Sequence, residues 1–157
     1  MLFRSGAAIL SAETVRVHDV FARHFGVIRL TDHGSREVFA PVFKAGLPLP
    51  APGEAPLSSQ VRYVPRHNIG HLRYLECATV DDQGCPVAGI RPWSEIFFPY
   101  DPNLSLTQPL QRTDIEPRHD LGAETAETYC CDSDGIITVQ LTRGGDNQSR
   151  TFEVSKS

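Results

Sequence analysis

The sequence has 157 residues, a formal net charge of −4, 40% hydrophobic residues and 12 each of glycine and proline. That length suits one domain able to bury about two-thirds of its unfolded surface without disulfide staples. The acidic balance and the lack of any Lys/Arg run exclude nucleic acid as a partner, and the glycines and prolines argue against long uninterrupted helices.

Taken from the N-terminus, Leu2 to Ala12 place Leu2, Phe3, Ala7, Ile9 and Leu10 among small residues, which suits a short helical segment. Arg4 and Ser5 interrupt this apolar stretch, and it is too short for a secretory or membrane-spanning segment. The expectation is a cytoplasmic protein with no membrane partner. Beyond Glu13 the pattern turns to strands: Val15 to Val20, then Phe25 to Leu30, the turn TDHGS at 31–35, and Arg36 to Phe43. KAGLPLPAPGEAPLSS at 44–59 has too many prolines for a central strand and reads as a loop.

Two further strands are expected at Gln60 to Val64 and His71 to Thr79, separated by turn residues Pro65 to Gly70 and followed by a turn at Asp81 to Gly84. IRPWSEIFFPYDPNL at 90–104 reads as aromatic packing under a loop, and 105–123 as a mobile polar crossing. Thr125 to Cys131, Ile136 to Leu141 and Arg150 to Val154 complete the chain as three strands joined at Asp134-Gly135 and at residues 144–147. The fold class expected is all-β, an antiparallel two-sheet β-sandwich with a short N-terminal helical or extended segment.

Motifs that carry chemistry are few. CCDSDGIITV at 130–139 has the carboxylates of a calcium loop but lacks its glycine spacing and terminal glutamate; Asp-Gly between β-rich runs predicts a hairpin turn with positive φ at both central residues. His67 and His71 have a zinc-helix spacing, yet Asn68 stands where a glutamate is needed and Pro65 and Gly70 oppose a helix. Cys77, Cys85, Cys130 and Cys131 lack paired C-x-x-C spacing and read as free thiols. There is no nucleophile elbow, phosphate loop or dinucleotide fingerprint, so no enzyme activity, metal or cofactor is expected.

The order of elements resembles the peptide-binding β-sandwich of the seventy-kilodalton heat-shock (DnaK-type) chaperones. Gly6-Ala-Ala-Ile9 is similar to the end of that family's nucleotide-binding domain, Val15 to Asp19 to its interdomain linker, and Asp19-Val20 with Phe25-Gly26-Val27 to the opening of its peptide domain. Phe43 to Pro50, Ser59-Gln60-Val61 and Asn68 resemble later segments, and YCCDSDGIITV at 129–139 carries the most specific likeness. The resemblance divides the chain into residues 1–19, a remnant of the nucleotide-binding end plus linker, and a peptide-binding domain at 20–157.

Departures accompany it. Arg16 and His18 interrupt a linker that is apolar in the family, WSEI and FFPYDP have no family counterpart, and neither a nucleotide-binding half nor a helical lid is expected in this chain. ATP would therefore belong to a nucleotide-binding domain outside it, the partner that the resemblance implies. The resemblance implies a channel for unfolded or extended polypeptide segments between two loops, binding in a manner close to strand addition. It maps the first loop onto Val27, Arg29 and Leu30 and the second onto Val64, Pro65 and Asn68, with Leu72 and Tyr74 on the strand beneath. Alternate strand residues also face a core, so ordinary packing is an equal reading of Leu72 and Tyr74. A regulatory or scaffold sandwich that has lost peptide binding is the alternative function, with a hydrolase a distant third.

Overall fold

The computed structural model describes residues 19–31 and 36–157. The expected N-terminal helical segment, most of the linker and all but the first residue of the TDHGS turn lie outside the described residues.

Among the described residues ten strands follow in chain order: β1 (His24–Thr31), β2 (Arg36–Phe43), β3 (Leu57–Tyr63), β4 (Ile69–Cys77), β5 (Thr79–Val80), β6 (Pro86–Ala88), β7 (Arg91–Pro99), β8 (Thr125–Cys131), β9 (Ile137–Thr142) and β10 (Ser149–Val154). Two four-stranded antiparallel sheets, ordered β2-β1-β4-β7 and β10-β9-β8-β3, form a β-sandwich, and β5 with β6 makes a small separate hairpin. Among the described residues no helix is long and apolar enough to cross a membrane.

Period-two alternation builds the core. Phe25 and Val27 on β1, Leu72 and Tyr74 on β4, and Ile96 and Phe98 on β7 meet Tyr129 and Cys131 on β8 and Ile137, Val139 and Leu141 on β9. Phe25 stacks on Tyr74 with ring centroids 5.8 Å apart, and Tyr74 meets Tyr129 edge-on across the sheets at 6.1 Å. Such ring pairs contribute roughly 0.5–1.5 kcal/mol each beyond their buried area.

Several boundaries differ from the sequence reading. RPWSEIFFP is a full strand, β7, rather than packing under a loop. Its prolines fit because β4 is the only strand beside β7, whose outer side meets just a single bridge from Trp93 to Lys156, so a missing N–H can face away from the ladder. For the same reason β3 begins at Leu57, inside the stretch read as loop, directly after Pro56 and as the opposite sheet's edge. β4 begins at Ile69 instead of His71, because Gly70 has no Cβ to collide with the Tyr100 ring lying against it; a Cβ there would sit 2.4 Å from the hydroxyl oxygen.

The β8–β9 turn is a hairpin of a different type from the one expected. Gly135 has φ +80°, whereas Asp134 does not have positive φ. The Gly135 N–H donates to Asp132 O at 3.0 Å and the Asp132 N–H to Ile136 O at 3.1 Å, which is a three-residue loop closed by a left-handed glycine. The Asp132 carboxylate accepts from the N–H groups of Asp134 and Ile136, both at 2.9 Å, and so caps its own turn. The crossing at 105–123 is irregular, as expected, but backbone and side-chain bonds fasten it to the loop between β3 and β4.

Candidate functional site

The end of the sandwich at which β1 finishes and β4 starts opens into a cleft of about 420 Å³. One wall is apolar, made by Leu30, Val64, Pro65, Ile69 and Leu72; the other surfaces carry Arg29, Tyr63, Tyr100, Arg66, His67 and His71. The loop joining β3 to β4 supplies the outer wall, and its shape comes from Asn68. The Asn68 amide accepts from Glu116 N–H at 2.7 Å and donates to Asp114 O at 3.1 Å, while its carbonyl receives Tyr100 N–H at 2.8 Å and Asp101 N–H at 3.0 Å.

Beneath the cleft lies Glu127, a carboxylate on β8 with 0% exposure. Arg29 grips it with two parallel hydrogen bonds, Nη1 to Oε2 at 2.7 Å and Nη2 to Oε1 at 3.0 Å. Tyr129 donates to Oε1 at 2.6 Å and Tyr63 donates to Oε2. Four donors thus occupy the acceptor positions of the carboxylate. Each tyrosine has one proton, so the outer hydroxyls must donate inward: Tyr100 to Tyr63 at 2.7 Å, and Tyr74 to Tyr129 at 3.0 Å.

Electrostatics reinforce this direction. Burial works against the Arg29 charge, but the hydrogen bonds and the negative charge of Glu127 outweigh it and raise the guanidinium above its usual range. Burial, the neighbouring Tyr100 and Glu127 push Tyr63 well above an ordinary phenol; burial, Tyr74 and Glu127 do the same to Tyr129. All of these hydroxyls remain protonated donors.

The residues expected to form a channel separate into two groups. Arg29, Leu30, Val64, Pro65 and Leu72 line the one cleft. Val27 and Tyr74 lie in the interior between the sheets and line no part of it: they pair with each other two residues further into the sheet than Arg29 and Leu72, the inward-facing residues nearest the open end. Asn68 holds the loop in place and does not face the opening. Leu72, though it borders the cleft, is only 1% exposed, whereas Val64 is 42% exposed.

The sequence reading missed Glu127, Tyr63 and Tyr100. Glu127 had a signal: it shares the inward phase of β8 with Tyr129 and Cys131, as Arg29 shares that of β1 with Phe25 and Val27. A charge on each of two inward phases demands a partner. Tyr100 had none, because its position depends on Arg143, whose buried guanidinium donates to the carbonyls of Pro99, Asp101 and Leu104 at 3.2, 2.9 and 2.7 Å. His71 stacks on Phe97 at 4.3 Å and meets Glu95 at 2.8 Å, while His67 lies in the loop opposite Pro117.

Compared with known proteins, the chain matches no family model and no curated protein. The chaperone resemblance rests on the quoted motifs alone.

Proposed function

We propose that this domain is a binding module for extended polypeptide segments, chaperone-like and not an enzyme, acting in the cytoplasm without a cofactor of its own. The observation that carries the reading is the meeting of Arg29, Leu30, Val64, Pro65 and Leu72 around one cleft, although the two segments that supply them are separated in sequence by the whole of β2 and β3. An apolar wall beside hydroxyl and guanidinium groups suits a peptide, which offers alternating apolar side chains and backbone carbonyls. A nucleotide-binding domain is the further partner that the resemblance implies.

Binding of a short, flexible peptide to such a cleft should fall near the micromolar range or weaker, since the peptide must be ordered on binding. Fluorescence anisotropy of a dye-labelled peptide with a central leucine measures it directly. Val64→Glu is the informative variant because Val64 is exposed and its replacement leaves the core intact. Saturable binding that weakens at least about tenfold in Val64→Glu, with an unchanged melting temperature, is expected. Absence of saturable binding, or equal binding by the variant, would reduce the domain to a scaffold sandwich.

A further inference from the structure

The cleft has a charge as well as a shape. Among the described residues that line it, Arg29, Arg66, His67 and His71 are basic and none is acidic. The carboxylate beneath, Glu127, is already saturated by four donors, and Glu95, which does not line the cleft, is engaged by His71. Arg29 is likewise consumed by Glu127, so its charge is neutralised where it lies. Arg66 differs: it is exposed on the loop between β3 and β4, and no ion pair ties its side chain to a carboxylate of the described residues. On a chain with net charge −4, this cleft is a local basic site next to an apolar wall.

We infer that the polypeptide segment taken by this cleft is an acidic one, with an apolar side chain seated against Leu30 and Val64 and an adjacent Asp or Glu reaching Arg66. The inference rests on the peptide-binding reading and adds a sequence preference to it. Uncompensated positive charge at a partly enclosed surface favours a ligand carboxylate and disfavours a ligand lysine, which would be desolvated beside a like charge. A single solvent-accessible ion pair is modest, so the preference should be modest and sensitive to salt.

Three labelled peptides of equal length, each with a central leucine flanked by Asp, Asn or Lys, separate the possibilities by anisotropy. At low ionic strength the Asp peptide should bind about threefold more tightly than the Asn peptide and about tenfold more tightly than the Lys peptide, the differences shrinking by about 0.5 M salt. Arg66→Glu, at an exposed position, should reverse the order of the Asp and Lys peptides. Equal binding of all three, or an order unchanged by Arg66→Glu, overturns the acidic preference while leaving the peptide reading intact. If none of the three binds, the peptide reading itself fails and takes this inference with it.

Discussion

Glu127 is a carboxylate without access to water, and it survives there because four hydrogen bonds, two of them from the Arg29 guanidinium, replace its hydration. The arrangement couples the core to the cleft: Tyr100 and Arg29 border the opening, and both are oriented by bonds that end on Glu127. Replacing Glu127 by Gln puts an amide donor where only donors point and leaves Arg29 without its counter-charge. Urea unfolding of Glu127→Gln should therefore show a loss of about 3–5 kcal/mol, the range for breaking one side of a buried ion pair. Tyr63→Phe, which removes one donor and deprives Tyr100 of its acceptor, should cost about 1–3 kcal/mol. A Gln variant as stable as the wild type would contradict the saturation of Glu127.

Strand alternation makes the adjacent cysteines of β8 unlike each other. Cys131 is buried, and burial pushes its thiol up to about 11, whereas Cys130 lies half-exposed on the other face. Cys77 is buried and raised for the same reason, and Cys85 is exposed in the turn between β5 and β6. A thiol reagent at neutral pH should modify Cys85 quickly, Cys130 more slowly, and Cys77 and Cys131 only on unfolding. Four equally fast thiols would contradict this packing. The turn between β9 and β10 carries a pH-sensitive clamp: the Arg143 hydrogen bonds hold the Asp146 carboxyl below the usual carboxylate range. Its unfolded-state value near 3.9 is the higher one, so the unfolded chain binds more protons below that pH. The clamp's contribution is complete above about pH 4 and is lost as pH falls through the folded value. Acid titration of Asp146→Asn should accordingly show a shallower loss of stability below about pH 4 than the wild type, and identical slopes would contradict it.

The molecule as a whole is a sandwich whose ends do different work. At one end the loop between β3 and β4 is held open by Asn68 and the 114–118 segment; one flank is closed by the C-terminal residues, where Ser94 N–H donates to Ser155 O at 2.8 Å. The sandwich was legible because turn signals such as Asp81 to Gly84 and Asp134-Gly135 separate runs with period-two alternation. Edge strands were the weak point, since the prolines of β7 and the one before β3 are permitted only by a pairing that no local pattern reveals. Arg29, Leu30, Val64, Pro65 and Leu72 meet at the cleft, but Val27 and Tyr74 sit one inward step deeper along β1 and β4 than their motif positions imply, and the Glu127 network depended on a cross-sheet contact between residues 98 apart. The central claim is that extended peptide occupies this cleft, and amide chemical shifts of the labelled domain titrated with unlabelled leucine-centred peptide test it most directly. Saturable shifts confined to Leu30, Val64, Arg66, His71 and their neighbours, with β5, β6 and β10 unmoved, are predicted; shifts concentrated at the β5–β6 end, or none at all, would contradict the account.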